Sequence, residues 1–510
     1  MRNAHSVEVV RVAERTLMDR LPPGTLMQRA ATGLAAVCAG LAGRVYGARV
    51  VVLTGSGDNG GDALYAGARL ARRGAQVVAV AASTRVHEAG AAELRSAGGQ
   101  LTQASDPGLP ALIGGADLVV DGLLGIGGRG GLREPMATLA AMTDRARADG
   151  GRPAVVAVDL PSGIDADTGE VAGAAVRADV TVTFGTWKPG LLIDPGAGHA
   201  GLTEFVDIGL GPYLPPASVT AYSGADVARL LPRPGRESDK YRRGVLGIVA
   251  GSERFTGAAV LAVGGAVRGG AGLVRLVSAE PAVEVVRQHW PEAVITVIGD
   301  AAPVPGKEIE AAGRVQAWLA GPGMGTDEAA LRRLAAVLAT DLPVLVDADG
   351  LTLLSREPEL VTGRRAATLL TPHAGELARL MDADPADVAA RRMEHARAAA
   401  ERLGACVLLK GSTTVIAPPQ DGPLLVNPTG TSWLATAGTG DVLSGLAGAL
   451  LAQGLPVAQA ATAAAYLHGI AARYAAGGAG LGLTGEAPIG ASDVVSALPE
   501  AIRRVREPRS

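Results

Sequence analysis

The 510-residue sequence is poor in aromatic residues and in cysteine, and it is almost neutral. Aromatic residues make up 3% of the chain and apolar residues 48%, so the core must consist mainly of Ala, Val, Leu and Gly. The two cysteines, Cys38 and Cys406, lie far apart, which excludes a disulfide framework and a cysteine zinc site and is typical of a reducing cytosol. A formal net charge of −3 leaves no basic face for nucleic acid.

Long apolar runs are also absent from the sequence. No segment reaches the roughly 18–20 apolar residues that a membrane-spanning helix needs. The N-terminus carries Glu8, Arg11, Glu14 and Arg15 in a helical pattern, and no apolar stretch of signal-peptide type precedes them. These absences predict a cytoplasmic protein with neither a membrane partner nor a nucleic-acid partner.

The chain is too long for a single core and predicts two or three domains. Residues 1–45 are predicted to form two helices, separated by Pro-Pro-Gly at 22–24. Apolar strands then alternate with amphipathic helices, a pattern typical of a parallel sheet covered on both faces. The alternation stops between about 211 and 235, where we place a linker between two α/β units.

Eleven strands and two long helical regions are predicted by this pattern. The predicted strands are 49–54, 76–82, 117–121, 154–159 and 179–184 in the first unit, and 245–250, 272–278, 315–320, 343–347, 366–370 and 405–410 in the second. The predicted Ala-rich helical regions are 385–403 and 438–475.

A glycine loop follows the first strand, in the stretch VVLTGSGDNGGDALYAGARLARRG. Its glycines match the dinucleotide pattern G-x-G-x-x-G, yet Asp58, Asn59 and Asp62 stand where a phosphate loop should be electropositive. The helix that follows still offers free N–H groups to an anion. A purely structural alternative stays open, in which Asp62 caps that helix and Asn59 occupies a left-handed turn.

The spacing of this loop disfavours three familiar types of site. A P-loop needs Gly-Lys-Ser/Thr at its end, and here Gly61 is followed by Asp62. A calcium loop needs acids at alternate positions and a distant Glu, which this stretch lacks. A dinucleotide fingerprint needs an acid about 20 residues later, where Ser-Thr-Arg stands at 83–85. Ordinary NAD binding by this loop is therefore not expected.

Two further stretches end neighbouring strands with oxygen-bearing side chains. LVVDGLLGIGGRG places Asp121 at a strand end before a second glycine loop, and AVDLPSGIDADTG places Asp159 and Ser162 at the next. The carboxyl ends of parallel strands converge on one crevice. Asn59, Asp121 and Ser162 are therefore predicted to meet around one cation, which would offset the acids and help to hold a polyphosphate.

The motifs GDNGGDA, DGLLGIG, VDLPSGIDADTG and FGTWKPG, in this order and spacing, resemble the NAD(P)H-hydrate epimerase domain over roughly residues 1–215. Ala63 stands where the family more often has Gly, and Asp58 where a second Asn is usual. The resemblance implies a Rossmann-like, three-layer fold and a K⁺ ion held by Asn59, Asp121 and Ser162. The implied contacts to the hydrated dinucleotide are Asp58, Asn59, Gly60, Gly61, Asp62, Gly125, Ile126, Gly127, Gly128, Arg129, Gly130, Gly131 and Asp159.

The implied substrate carries a hydroxyl group on a carbon beside the ring nitrogen of nicotinamide. That centre loses its configuration by ring opening or by loss of hydroxide, and either route needs proton transfer, which a positioned carboxylate provides. We assign this role to Asp159, with Lys188 as a second, electrostatic candidate. The alternative for Lys188 is a lysine that snorkels to solvent before a proline turn.

The stretch TAGTGDVLSGLAGALLA is the strongest signal in the second half. Gly438, Thr439 and Gly440 precede a predicted helix whose first turn carries Asp441. Successive N–H groups at a helix start form an anion hole for a phosphoryl group, and an adjacent Asp can take a proton from a hydroxyl nucleophile. As a single motif, G-T-G-D is also compatible with an ordinary capped helix.

Other stretches of the second half are KYRRGVLGIVAGSERFTGAAVL, LAGPGMG, VLVDADGL, LLTPHAGELARL and VLLKGSTTVI. Together with G-T-G-D they resemble the ribokinase-like superfamily, and within it the ADP/ATP-dependent NAD(P)H-hydrate dehydratases, over about residues 225–507. The resemblance implies an α/β/α fold. T-P-H-x-G-E and K-G-S-x-T are shared with vitamin kinases, so a kinase of hydroxymethylpyrimidine or pyridoxal type fused to a dinucleotide-binding domain remains the alternative.

The dehydratase resemblance also implies roles for single residues. Asp441 is the implied base, with Mg²⁺ and ADP as metal and co-substrate. The implied nucleotide contacts are Lys410, Gly411, Ser412, Thr413, Thr414 and Gly440, and the implied substrate contacts are Ala258, Gly323, His373 and Asp441. Two purely structural alternatives stay open: His373 caps the next helix, and Lys410 is a surface cation without a function. Together the halves predict a bifunctional repair enzyme that acts on hydrated NADH and NADPH, as a homo-oligomer of unspecified order.

Overall fold

The structure, a computed structural model, describes residues 1–148, 153–298, 307–477 and 485–507. The chain divides into two compact units, one of Asn3–Val219 and one of Thr220–Ser510 together with Met1–Arg2. Within the described ranges, no helix combines the length and apolarity that crossing a bilayer requires. Both cysteines are buried and free, and burial raises the pKa of each thiol to about 12.

The N-terminal unit is built on a seven-stranded parallel sheet in the order β4-β3-β2-β5-β6-β7-β8. A short strand β1 (Arg2–Ala4) precedes the first helix. The sheet strands are β2 (Arg49–Thr54), β3 (Gln76–Ala81), β4 (Gln100–Gln103), β5 (Leu118–Gly122), β6 (Ala154–Val158), β7 (Val180–Phe184) and β8 (Leu202–Val206). The helices are α1 (Val7–Met18), α2 (Thr25–Ala42), α3 (Asp58–Arg72), α4 (Glu88–Ser96), α5 (Leu109–Gly114), α6 (Met136–Ala148) and α7 (Ala197–Ala200).

Alternate residues of the central strands are buried on opposite faces of this sheet. Val50 and Val52 pack in the core that includes residues of α1 to α4, while Val51 and Leu53 pack in the core that includes residues of α5 and α6. Continuous valine runs occur in these strands because both faces are covered by helices. The predicted Rossmann-like three-layer class is therefore confirmed.

Ten strands of the C-terminal unit follow the order β9-β18-β17-β16-β15-β14-β13-β10-β11-β12. They are β9 (Val219–Ala221), β10 (Val245–Val249), β11 (Leu273–Ala279), β12 (Val294–Ile298), β13 (Ala317–Ala320), β14 (Val344–Val346), β15 (Thr368–Leu370), β16 (Cys406–Leu409), β17 (Thr414–Ala417) and β18 (Leu424–Asn427). Pairing is parallel from β10 to β16 and antiparallel in β16-β17-β18.

The helices of this unit include one, α17 (Thr439–Ala452), that is buried along most of its length. They are α8 (Gly224–Leu230), α9 (Thr256–Arg268), α10 (Glu280–His289), α11 (Lys307–Ala311), α12 (Glu328–Leu338), α13 (Asp349–Leu354), α14 (Ala374–Met381), α15 (Pro385–Ala390), α16 (Arg392–Leu403), α17 (Thr439–Ala452), α18 (Val457–Gly477) and α19 (Ala491–Arg506). Every residue of α17 from Val442 onward is buried. A Cβ atom built on Gly445 would lie 2.0 Å from the carbonyl oxygen of Ala262, so glycine lets α17 and α9 approach backbone to backbone.

All eleven predicted strands are present, with ends shifted by one or two residues. Three expectations need correction. The predicted linker contains β9 and α8, which a capping box between Ser223 and Asp226 starts. The helical region 385–403 is broken at Arg391, and 438–475 is broken at 453–456, where Gly-Leu-Pro follows α17. Strands β4, β8, β12, β17 and β18 were not among the predicted strands.

Candidate active sites

The two glycine loops of the N-terminal unit lie at the point where its strand order reverses. From β2 the chain proceeds to β3 and β4 on one side, and from β5 to β8 on the other. A Cβ atom on Gly55 would lie 2.0 Å from the carbonyl oxygen of Leu123, so the loops after β2 and β5 are in contact. Such a switch point is where open α/β sheets bind their ligands.

Asn59 and Asp62 both lie within helix α3, which begins at Asp58 with Gly57 as its N-cap residue. Neither structural alternative from the sequence therefore holds: Asp62 is not the cap, and Asn59 has no left-handed backbone. The Asn59 side chain packs against Gly125, where a built Cβ atom would lie 3.1 Å from Oδ1. Its Nδ2 atom is buried and has no hydrogen-bond partner among the described residues.

Asp121 and Ser162 are both fully buried and contact each other directly. The Ser162 hydroxyl donates to Oδ1 of Asp121 over 2.7 Å, and the Ser162 N–H donates to Oδ2 over 2.8 Å. The Leu124 N–H donates to the Ser162 hydroxyl oxygen over 2.9 Å, so the second glycine loop also contacts Ser162. Burial raises the pKa of Asp121 to about 6, although these neutral donors lower it.

Asp159 and Lys188 form a buried ion pair. The lysine side chain is 1% exposed, so the snorkelling alternative is wrong. Lys188 Nζ also donates to the hydroxyl of Thr183 over 3.1 Å and to the carbonyl of Phe184 over 3.0 Å. Asp159 follows β6 with a φ of 66°, in the left-handed region that is uncommon for a non-glycine residue. Such strained positions persist where surrounding contacts fix them, often at functional sites.

Glu14 of helix α1 belongs to the same cluster, and the sequence did not single it out as a site residue. Burial raises its pKa; Lys188 lowers it, while Asp159 and Asp58 raise it. Burial also raises the pKa of Asp62 well above its usual value, with Asp159, Asp58 and Glu14 adding to the effect. Glu14 was missed because its partners lie more than forty residues away in the sequence, and only the fold brings them together.

The second glycine loop carries the remaining predicted contacts. Gly125, Ile126, Gly127, Gly128, Arg129, Gly130 and Gly131 follow β5, with positive φ at Gly130 and Gly131. Arg129 is exposed, and Ile126 packs on two apolar clusters. A Cβ atom on Gly127 would lie 3.0 Å from a guanidinium nitrogen of Arg11 on α1. Arg11 is a cation beside this loop whose role the sequence did not indicate.

In the C-terminal unit, the G-T-G-D motif begins helix α17. Gly438 is the N-cap residue and has a φ of 87°, and Asp441 lies in the first turn, as predicted. The Thr439 hydroxyl donates to the carbonyl of Leu434 over 2.9 Å and to that of Thr436 over 3.1 Å. These bonds hold the start of the helix, whose first N–H groups can donate hydrogen bonds to an anion.

Lys410 reaches the same helix start from the turn between β16 and β17. Its Nζ atom lies 2.7 Å from Oδ1 of Asp347 and 3.8 Å from Oε2 of Glu376, and a Cβ atom on Gly440 would lie 3.4 Å from it. The side chain is 20% exposed, so it is not a plain surface cation. Burial lowers the pKa of Lys410, but Asp347 and Glu376 outweigh this effect and the net shift is upward.

Asp441 has a pKa of about 7, well above the usual value for a carboxyl group. Burial is the main cause, and the charges of Asp347, Asp349 and Glu376 add to it, while Lys410 opposes it. A group with this pKa takes up and releases protons near neutral pH, which suits a general base.

The predicted nucleotide segment 410–414 forms the turn of the β16-β17 hairpin. Arg392 of α16 donates hydrogen bonds to the backbone of this turn. The guanidinium group of this buried arginine donates to the carbonyls of Lys410 over 2.9 Å and Thr413 over 3.1 Å, and more weakly to that of Leu409 over 3.3 Å. A Cβ atom on Gly411 would lie 2.2 Å from the same group, so the turn has no room for a side chain. No motif in the sequence marks Arg392, which belongs to an ordinary helical pattern.

The predicted substrate contacts divide into two places. Ala258 and Gly323 lie together, since a Cβ atom on Gly323 would lie 2.8 Å from that of Ala258. His373 is the N-cap of α14: its Nδ1 atom accepts from the N–H groups of Gly375 and Glu376. The capping alternative therefore holds, and the ring remains 55% exposed. Capping occupies one ring nitrogen and leaves the exposed edge available to a ligand.

His468 of helix α18 is a further buried polar residue beside the anion hole. Burial lowers its pKa to about 4, a hydrogen bond to the backbone of Thr439 opposes this, and Lys410 adds to the lowering. Its Nε2 atom is buried and has no hydrogen-bond partner in the described parts of the chain. The ring is therefore neutral at physiological pH and braces the first turn of α17.

Two family models match the chain. One, described as YjeF-related protein N-terminus, matches residues 23–190, and one, described as NAD(P)H-hydrate dehydratase, matches residues 246–488. The bifunctional NAD(P)H-hydrate repair enzyme of Mycobacterium leprae is 47% identical over 507 residues, which cover 98% of this chain and 99% of the relative. The chain belongs to the family of bifunctional NAD(P)H-hydrate repair enzymes. The resemblance found in both halves of the sequence is thereby confirmed, and the family match favours a repair enzyme over the vitamin-kinase alternative.

Solved structures also resemble the C-terminal part, among them the following two. A ribokinase-like superfamily protein from Enterococcus faecalis is 23% identical, with a TM-score of 0.50, over 57% of this chain and 98% of its own. This likeness confirms the ribokinase-like fold. The ADP/ATP-dependent NAD(P)H-hydrate dehydratase of Bacillus subtilis, co-crystallised with ATP and Mg²⁺, is 30% identical over 56% of this chain and 99% of its own, with a TM-score of 0.49.

Proposed function

We propose that the N-terminal unit interconverts the R and S epimers of hydrated NADH and NADPH, and that the C-terminal unit dehydrates the S epimer at the expense of ADP. The observation that carries this proposal is the match of the whole chain, across both units, to a bifunctional repair enzyme. The two activities complement each other. A chiral dehydratase pocket consumes one epimer, and the epimerase returns the other to the pool.

Asp159 transfers the proton in the epimerase step. Its Oδ1 atom is held by Lys188, by the Thr183 hydroxyl over 3.2 Å and by the Phe184 N–H over 3.1 Å. The other oxygen, Oδ2, is then the one that first takes up a proton from the substrate and later returns it, as ring opening and reclosure of the hydrated ring require. Lys188 keeps the carboxylate oriented and compensates its charge inside the unit.

Asn59, Asp121 and Ser162 form the proposed potassium site. All three side chains offer oxygen atoms, the ligands that hard cations prefer. Asp121 is a buried carboxylate, and no cationic side chain of the described residues forms an ion pair with it. Asn59 would contribute its amide oxygen, since the amide nitrogen is a hydrogen-bond donor and does not bind a cation. A monovalent cation fits this set, because it would supply the missing charge and offset the neighbouring acids when a diphosphate binds.

Asp441 is the proposed base of the dehydratase step. It takes the proton from the ring hydroxyl, whose oxygen attacks the terminal phosphorus of ADP and displaces AMP. The ring nitrogen then expels phosphate, and loss of a proton from the adjacent carbon restores the dihydronicotinamide. The N–H groups at the start of α17 and the Lys410 ammonium group face the transferred phosphoryl group.

Mg²⁺ neutralises phosphate charge when it is bound. In the described ranges, no three His, Cys, Asp or Glu side chains are placed to hold a metal ion. We therefore assign no protein ligand to it and infer that it enters with the nucleotide, held mainly by phosphate oxygens and water.

The turn 410–414 and Gly440 contact the nucleotide, and Ala258, Gly323 and His373 contact the hydrate. We infer that the protein is located in the cytoplasm and assembles as a homo-oligomer.

A single assay tests both activities. The mixed hydrate epimers are supplied with ADP or ATP, and recovery of the dihydronicotinamide absorbance near roughly 340 nm is followed beside phosphate release. The parent protein should consume both epimers, while Asp441→Asn should equilibrate them and consume the S epimer at least about 10²-fold more slowly. Asp421→Asn, in an exposed hairpin turn, is the matched control. Nucleotide consumption only with a vitamin alcohol, yielding a stable phosphate ester, would establish the kinase instead.

A further inference from the structure

One carboxylate connects the two elements that face the proposed phosphoryl-transfer site. Asp347 follows strand β14 and is 1% exposed. Its Oδ1 atom accepts from Lys410 Nζ over 2.7 Å, and its Oδ2 atom accepts from the Ser444 hydroxyl over 2.5 Å. Lys410 belongs to the β16-β17 turn and Ser444 to helix α17, so the carboxylate bridges segments far apart in the sequence.

Ser444 relates this bridge to the anion hole. It lies one turn after Gly440 on α17, and its hydroxyl oxygen lies 3.0 Å from the carbonyl oxygen of Gly440 as well as close to Asp347. The position of Asp347 is itself fixed by the backbone. A Cβ atom on Gly321 would lie 1.8 Å from the carbonyl oxygen of Asp347, and Ala348 has a φ of 50°. A buried carboxylate with two fixed partners sets the distance between those partners.

We propose that Asp347 is the positioning residue of the C-terminal site: it fixes the Lys410 ammonium group against the start of helix α17, so that the phosphoryl group is held between Lys410 and Asp441. This inference rests on the dehydratase function proposed above. Asp347 acts through Lys410 and Ser444 and is not itself a contact to the nucleotide.

The charge of Asp347 also acts on Asp441. The groups that face Asp441 come from four other segments: Asp347 after β14, Asp349 of α13, Glu376 of α14 and Lys410 of the hairpin turn. His468 of α18 contacts the same helix start through Thr439 and is neutral. Among the charged groups, Asp347 is the largest influence on the pKa of Asp441 after burial. Removing that charge should lower this pKa, because Asp441 then ionises with one fewer neighbour of like charge.

Two variants separate positioning from packing. Asp347→Asn removes the charge and the ion pair but keeps the shape, while Ser444→Ala removes one hydrogen bond and keeps the charge. We expect Asp347→Asn to weaken ADP binding by at least about 10-fold and to move the acid limb of the dehydration rate about one unit lower in pH. Ser444→Ala should weaken ADP binding by less than about 5-fold and leave that limb in place.

The measurements are calorimetric titration with ADP and the pH profile of kcat for the S hydrate. Equal effects of the two variants on ADP binding, or an unmoved acid limb in Asp347→Asn, would overturn the inference. If Asp347→Asn does not fold, Asp347→Glu replaces it: retained charge should leave the limb in place, while the longer side chain weakens ADP binding. A parent protein that binds ADP but never consumes the hydrate refutes the proposed function alone, since the titrations still decide the role of Asp347.

Discussion

Lys188 and Asp159 form an ion pair inside the N-terminal unit, where the lysine is 1% exposed and the aspartate 13%. Removing both charges from water is costly, and the pair is kept because Thr183 and Phe184 supply further hydrogen bonds. All of these donors to the aspartate converge on Oδ1. The carboxylate is thereby held in one orientation, with its second oxygen directed away from this cluster of donors.

Asp159→Asn should abolish most of the epimerase activity, since the amide keeps the shape but cannot take up a proton. We expect the rate of exchange between the R and S hydrates to fall at least about 10²-fold, while dehydration of the S hydrate with ADP continues. Chiral separation of the two hydrates over time, without nucleotide, gives the rate. Thr183→Val, which removes a single donor to Oδ1, is the matched control and should lose far less. An Asp159→Asn protein that epimerises at the parent rate would refute the assignment.

Dinucleotide binding to the N-terminal unit should depend on potassium. Replacing K⁺ by a bulky organic cation should weaken binding, because the acids around the loop then face the diphosphate without compensation. In Asn59→Ala the difference between the two cations should shrink to within about twofold, since one ligand of the site is lost. Isothermal titration in each salt measures both affinities. Ser56→Ala, in the exposed part of the same loop, should retain the potassium effect, and an equal response in both variants would contradict the site.

The dehydration rate should fall as the pH drops through about 7, because Asp441 must be ionised to act as a base and its pKa is about 7. The free energy of unfolding should change in the opposite sense and increase as the pH drops. The folded-state pKa lies above the ordinary carboxyl value, so the folded protein binds more protons, and stability is lost as the pH rises from about 4 to about 7. Asp441→Asn should therefore melt higher than the parent at pH 8 and similarly at pH 4. Calorimetric melting at the two pH values checks this, and an equal difference at both would contradict it.

Arg392→Lys should weaken ADP binding, because an ammonium group cannot reproduce the planar guanidinium group that donates to the carbonyls of Lys410 and Thr413. Loss of one or two buried hydrogen bonds predicts an affinity about 5- to 30-fold lower, with little change in kcat at saturation. Steady-state kinetics with varied ADP separates the two. Arg397→Lys is the control: this partly exposed arginine donates to the carbonyl of Gly422 over 3.0 Å, away from the nucleotide turn, and its replacement should leave the affinity unchanged. A lower kcat with unchanged affinity would show that Arg392 does not hold the nucleotide turn.

Most of the architecture could be predicted from the sequence. Valine runs that are apolar on both faces appear only where helices cover a parallel sheet twice, and each predicted strand from 49–54 to 405–410 is found. The edge strands β4 and β8 escaped because they are partly exposed and polar residues interrupt them, whereas β12, with the sequence VITVI, is apolar but partly exposed and was not singled out. The helix boundaries at 391 and 453–456 escaped because alanine-rich patterns continue across them.

Only part of the candidate sites could be predicted from the sequence. The residues at strand ends and in the glycine loops, such as Asn59, Asp121 and Asp441, could be singled out as candidates because local motifs mark them. Glu14 and Arg392 carry no such mark, and Asp347 lies in the stretch VLVDADGL but its role could not be read there, since the partners of all three come from distant parts of the chain. By itself the sequence determined the order of strands and helices and the chemistry available at their ends, because these depend on neighbouring residues. Only the tertiary structure decided which charges share a buried space, and burial together with mutual repulsion is what moves the pKa of Asp441 to about 7.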